Sequence, residues 1–177
     1  MRNCMQILEH GGRSLLIFAG TTDESMDSML SRAAGMSNRT DASIRLLDAK
    51  RVFGMDHIRS AQMKAVRAFE NGQNVSDSLA TETMLYMSGC RQIQEAVALL
   101  GLKRDSRSIV CVADLAEGIK EKLAKELSIA EDESLIDSGE KDLSGFGITP
   151  AEVETLPTDK RRDLVLERVA SVDIKRK

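Results

Sequence analysis

The chain has 177 residues, enough for one domain with a buried core, and its 25 Lys and Arg against 28 Asp and Glu leave a net charge of −3. No global basic field therefore marks it as a nucleic-acid binder, and any such contact has to come from a local patch. Cys4, Cys90 and Cys111 are spaced for neither a metal site nor a disulfide framework and fit a reducing, cytoplasmic setting; no apolar run approaches the roughly 18 residues that cross a bilayer, and the scarcity of aromatics argues against a base-stacking platform.

Residues 4–8 and 14–18 are short apolar runs on either side of His10-Gly11-Gly12, which predicts a hairpin. A helix is expected over 21–35, with Thr22 or Asp23 as its cap, Met26, Met29, Leu30 and Ala33 at helical spacing, and Gly35 as its end. Residues 38–41 read as loop. The run 44–52 reads as a strand because Gly54 stops it soon and a clear helix follows. That helix covers 56–71. Ile58, Ala61, Ala65, Ala68 and Phe69 form its apolar stripe, and Arg59, Ser60, Lys64, Arg67 and Asn71 fall on the other side. Such a cationic face is commonly just solvated.

Residues 67–96 carry the most information. Gly72 is a natural left-handed stop, and Asn74, Ser76, Asp77 and Ser78 are the residue types that cap and turn. A helix follows to about Met87, Ser88-Gly89 breaks it, and a third helix carries Ile93, Ala96, Val97 and Leu100 on one face up to Gly101. Arg91 falls in the first turn of that third helix. There backbone N–H groups lack partners and a cation is disfavoured by about 0.3–1 kcal/mol. An arginine beside free amides is what an anion would find attractive. The plainer alternatives are a solvated side chain or a pair with Glu95 one turn on.

Beyond Gly101, Leu102 sits where a Schellman motif places its apolar contact. Residues 109–113 read as a buried strand. Asp114 is expected to cap a helix through Leu115, Ile119, Leu123 and Leu127, with Gly118 inside it. The acidic stretch 130–147 reads as a surface connection pinned by Leu135, Ile136, Leu143 and Phe146. Thr149-Pro150-Ala151-Glu152 is a strong helix start. A last segment, 159–173, carries Leu164, Val165, Leu166, Val169 and Val172 before a basic tail, 175–177. The sum is a single α+β domain over 1–177, a small, mostly antiparallel sheet of about four strands covered by seven or eight helices.

Catalytic constellations are not visible. His10 and His57 have no partner at ligand spacing. Gly11-Gly12 and Gly145-Phe146-Gly147 lack the lysine and hydroxyl of a phosphate loop. Cys90, beside Arg91, reads as a tolerated small residue. Nothing in the sequence demands an enzyme, a cofactor or a metal.

Three pieces in fixed order carry a resemblance: N-V-S-D-S-L at 74–79, E-x-x-L-Y-x-S-G at 82–89 and C-R-Q-I-Q-E-A at 90–96, with D-L-V-L-E-R-V-A at 163–170 closing the chain. Together they resemble the archaeal kinase-binding subunit of the KEOPS tRNA-modification complex. Cys90 departs from that family's pattern, which has a variable, often Lys or Gln, residue there. The resemblance implies a non-catalytic subunit that docks on the amino-terminal lobe of a Bud-type kinase-like ATPase, which in turn holds the threonylcarbamoyl-transferase subunit. It also implies tRNA binding at the 3′ CCA end, in support of threonylcarbamoyladenosine synthesis. On that expectation the candidates for tRNA contact are Arg91, Gln92, Arg59, Lys64 and Arg67. The candidates for kinase docking are Leu85, Met84 and Ile93. Leu85 falls away from the side shared by Leu79, Thr83, Tyr86 and Met87, so it is either an exposed anchor or buried by a neighbouring helix. A protein-interaction scaffold without RNA contact and an unrecognised small-molecule enzyme stand as the other readings.

Overall fold

The computed structural model describes residues 5–174, so Cys4 and the tail 175–177 lie outside the described residues. Gly11 (φ 55°) and Gly12 (φ 72°) form a tight turn that needs positive φ at both centres. It joins β1 (Gln6–His10) to β2 (Arg13–Thr21), antiparallel, with His10 opposite Arg13. Then follow α1 (Met26–Thr40), β3 (Ile44–Asp48), α2 (Met55–Glu70), α3 (Leu79–Ser88) and α4 (Ile93–Leu100). The second half supplies β4 (Ser108–Asp114), α5 (Ile119–Glu126), a short β5 (Ala130–Glu131), α6 (Ser134–Asp137), α7 (Pro150–Glu154) and α8 (Arg161–Ser171). The α+β class is as expected: helices around one antiparallel sheet ordered β1-β2-β4-β3, with β5 beside β2. Among the described residues no helix is long and apolar enough to cross a membrane.

The central strands β2 and β4 are apolar on both sides, and the two-residue period of a strand splits them between two cores. Leu15, Ile17, Ala19, Val110 and Val112 face a core shared with α2, α3 and α8. Leu16, Phe18, Ile109, Cys111 and Ala113 face a second core under α1 and α5. Burial pushes the Cys111 thiol up, which leaves it unreactive packing.

Several local expectations need correction. The first helix does not end at Gly35. Ser25 caps it by accepting the Ser28 N–H at 3.2 Å, and it runs to Thr40, where Asp41 (φ 53°) gives the left-handed stop. A glycine inside a helix costs only about 1 kcal/mol, and the turn beyond it buries Met36 completely. Likewise β3 ends at Asp48, not at Val52, because Asp48 Oδ1 accepts the Lys50 N–H at 3.0 Å and opens a 3-10 turn over Ala49–Arg51. Gly118 (φ 68°) precedes α5 instead of lying within it, so Leu115 is left exposed and Asp114 does not cap that helix. No Schellman turn forms at Gly101, whose φ is −67°; it makes a β-bridge to Leu47.

The later segments follow the sequence. Thr149 and Glu152 form a reciprocal capping box around Pro150. Arg168 of α8 reaches the same carboxylate, with Nη2 donating to Glu152 Oε1 at 2.6 Å and to the Gly147 carbonyl at 3.1 Å. Ile136 and Phe146 pin the acidic connection by full burial, with Leu135 and Leu143 half-buried beside them.

Candidate functional site

All ten residues of α3 are buried. It packs against α2, α4, α8 and the sheet at once, so its helical wheel has no solvent side. Ser78 caps it through the Thr81 N–H at 3.1 Å. The Asp114 carboxylate, at the end of β4, accepts the Ala80 N–H at 2.7 Å. Asp114 is thus a helix cap, as the sequence indicated, but for a helix far upstream. Gly89 (φ 72°) closes α3 in the left-handed region, as Ser88-Gly89 implied.

Glu82 organises the two connections around α3. It lies one position beyond the place a capping box would use, so its side chain reaches past the cap into the preceding loop. One oxygen accepts the Val75 N–H at 2.9 Å and the Ser76 N–H at 3.0 Å. The other accepts from Arg91 Nη1 at 2.9 Å, and Arg91 Nη2 donates to the Gln73 carbonyl at 3.0 Å. Glu82 is fully buried and the Arg91 side chain 23% exposed. The guanidinium carbon also lies 5.3 Å from the centre of the Tyr86 ring.

Arg91 therefore differs from expectation on two counts. It precedes α4, whose cap is Gln92, instead of lying in its first turn. Its anion is an internal one, Glu82, and neither solvent nor Glu95 takes that role. Gln92 itself is exposed and makes no side-chain cap.

The cationic face of α2 divides. Lys64 Nζ is held by Asp173 Oδ2 and the Ala170 carbonyl, each at 3.3 Å, and Tyr86 Oη donates to Asp173 Oδ1 at 2.6 Å, so Lys64 ties α2 to the end of α8. Arg59 and Arg67 are exposed and make no ion pair among the described residues. With Met63, which is 51% exposed, they form a stripe at i, i+4 and i+8. Beside that stripe runs a cleft of about 310 Å³, floored by Met63, Leu166 and Val169 and edged by His10, Lys64 and Arg67. Arg13 lies over the Phe69 ring at 4.1 Å, adding a cation near the carboxyl end of α2.

The apolar candidates separate as sharply. Leu85 and Met84 are 0% and 1% exposed, because α2, α4, α8 and the sheet close around α3, so neither is a surface anchor. Ile93 is 40% exposed and Val97, one turn on, 45%. The spacing puts the two on one helical face with Ala96 and Leu100, and Ile93 is among the docking candidates. In fact α4 buries only Ala96 and Leu100 and turns a short aliphatic ridge to solvent.

The titratable groups in the interior serve the fold. His57 Nδ1 accepts the Phe53 N–H at 3.1 Å, and Nε2, opposite the Met87 carbonyl at 2.9 Å, must be the donor. Burial lowers its pKa to about 4, so it is a neutral tie between α2 and the end of α3. Lys141 Nζ donates to the carbonyls of Ala49, Leu135 and Ile136, and burial lowers its pKa to about 8. No cluster of three or more His, Cys, Asp or Glu that could hold a metal occurs among the described residues.

What the site offers is a solvent-facing ridge on α4, two arginines on α2 without an ion-pair partner among the described residues, and a buried ion pair that fixes the loop between them. No curated protein matches the chain. The family described as kinase binding protein CGI-121 matches residues 22–156, a span from just before α1 through α7 that contains α2, α3, α4 and the Glu82–Arg91 pair. The chain belongs to that family of kinase-binding proteins.

Proposed function

We propose that the protein is the kinase-binding, non-catalytic subunit of a KEOPS-type assembly, that it grips a Bud-type kinase-like ATPase, and that it also contacts tRNA. Through the kinase it would be linked to the threonylcarbamoyl-transferase subunit, in support of threonylcarbamoyladenosine formation in the cytoplasm. Membership of the CGI-121 family carries the kinase part of this reading. The aliphatic ridge of Ile93 and Val97 on α4 suits a protein partner, since exposed apolar side chains at helical spacing anchor helix and groove contacts.

The tRNA part rests on Arg59 and Arg67. They are the α2 cations left without an internal anion, about two turns apart along one face, beside a cleft with an apolar floor. Phosphate contacts position a nucleic acid and need exposed charge, and an apolar floor suits an unstacked base. In this reading Arg91 and Lys64, with their charges matched by Glu82 and Asp173, chiefly shape the surface, and Gln92 at the head of α4 is a polar contact beside it.

A scaffold without RNA contact is the second reading, favoured by the net charge of −3. Titration of the isolated chain with tRNA at several salt concentrations separates the two. The proposed reading expects binding that weakens steeply with salt. Absence of binding at low salt would leave the scaffold.

A further inference from the structure

The sheet order β1-β2-β4-β3 makes β3 an edge strand. Its outer side is covered toward Asp48, where Leu47 bridges Gly101 and the segment 100–102 runs along it. The Asp114 N–H donates to the Ser43 carbonyl at 3.0 Å. Backbone groups alternate along an antiparallel strand, so Ser43, Arg45 and Leu47 turn theirs toward β4; of the outward residues, Leu46 and Asp48 flank the bridge to Gly101 and Ile44 is left open. Open edges of this kind are usually blunted by lysine, proline or a covering element. Here the uncovered edge borders a cleft of about 740 Å³.

The walls of that cleft mix apolar side chains with Ser37, Asn38, Ser43 and Ser78, and its charged lining is mostly acidic. Leu30 of α1 stands on one wall and Val97 of α4 on the other, each 45% exposed. Asp41, Asp77 and Asp114 also line it, against a single cation, Arg45. Arg45 Nε is committed to Thr81 Oγ1 at 2.9 Å, and its charge lies in the field of Asp114. Asp41 and Asp77 are exposed, and neither side chain makes a hydrogen bond or ion pair among the described residues.

We propose that this cleft takes an extended, basic segment of a partner protein, added as a short strand to the edge of β3. The partner backbone pairs with Ile44, on the stretch of edge that the Gly101 bridge leaves open. One apolar side chain sits between Leu30 and Val97, and flanking cations meet Asp41 and Asp77. Strand addition of this kind draws affinity from main-chain bonds and selectivity from alternate side chains. The acidic rim excludes a nucleic-acid backbone from the same cleft. The site is separate from the α2 arginines and stands whether or not the protein contacts tRNA. Val97 belongs also to the α4 ridge, so the test relies on residues that touch the cleft alone.

The experiment is amide hydrogen exchange by NMR on the full chain. The probes are blocked hexapeptides alternating lysine with each aliphatic or aromatic residue in turn. The cleft reading expects at least one of them to slow exchange at Ile44, and an N-methylated copy to have no effect. Leu30→Glu and Asp77→Lys should each weaken that binding about tenfold or more at unchanged melting temperature. Three results would overturn the proposal: no peptide protects this amide, peptides with glutamate in place of lysine protect it equally, or a short oligoribonucleotide does so.

Discussion

Arg91 donates to Glu82 across 2.9 Å, and the carboxylate it meets is completely shielded from solvent. The pair joins the loop before α3 to the head of α4, because Glu82 also holds the Val75 and Ser76 amides and Arg91 the Gln73 carbonyl. Removing one partner of a buried pair strands the other charge and typically costs about 3–5 kcal/mol. Arg91 is partly exposed, so Arg91→Ala is expected near the lower end, about 3 kcal/mol, by urea unfolding. Arg91→Glu sets two carboxylates together and should be worse. A loss below about 1 kcal/mol for Arg91→Ala would show that the pair does not hold the loop.

Asp114 is expected to matter as a cap on α3. Asp114→Ala should lower stability by about 1 kcal/mol. Asp114→Asn, which keeps an acceptor oxygen, should lose much less. Equal losses for the two variants in thermal melts would contradict a capping role.

Arg59 and Arg67 are predicted to contribute to tRNA binding without contributing to the fold. Arg59→Glu combined with Arg67→Glu should leave the melting temperature unchanged and weaken tRNA binding. The slope of log affinity against log salt should flatten by about 0.7–0.9 for each phosphate that is no longer neutralised. An unchanged slope would remove α2 from the RNA surface.

His57 predicts a pH dependence of stability. Its folded pKa lies at about 4 against an ordinary 6.5, so between these values the unfolded chain binds the extra proton. Its contribution should therefore be level above about pH 6.5, fall as pH drops toward about 4, and level again below, up to about 3 kcal/mol in all. Glu152 acts in a lower window. Its folded pKa is depressed to about 2 by the Thr149 amide and then Arg168, so its contribution is full above the ordinary 4.5 and lost as pH falls through about 2. Comparing the pH 4 to 6.5 slope of the wild type with that of His57→Gln isolates the histidine. An identical slope in the two proteins would refute this assignment.

Local chemistry was legible where one residue decides the outcome. Gly11-Gly12, Ser78, Ser88-Gly89 and the Thr149–Glu152 box each behave as their side chains dictate. The sequence does not reveal which distant group completes a local one. Asp114 looks like the cap of the helix after it and caps α3, 34 positions away in sequence. Arg91 looks like an anion receptor until Glu82 appears nine residues upstream, on a helix whose own position decides that Glu82 is buried. Leu85 and Ile93, both docking candidates, part for a related reason: one is buried and the other exposed. Which side of a short helix faces solvent depends on how many neighbours surround it, and α3 is enclosed while α4 is not. Gly35 failed as a stop because the tertiary packing of Met36 outweighs a weak local preference.

The central claim is a non-reactive surface that holds a kinase through the α4 ridge, and isothermal titration of the full chain with its cognate kinase-like ATPase tests it most directly. The wild-type chain should bind with one-to-one stoichiometry, and Ile93→Glu, which leaves the buried Ala96 and Leu100 untouched, should weaken binding at least about tenfold while melting normally. Undiminished affinity in a normally folded Ile93→Glu chain would contradict the assignment of this ridge, and no binding by the wild type would contradict the account as a whole.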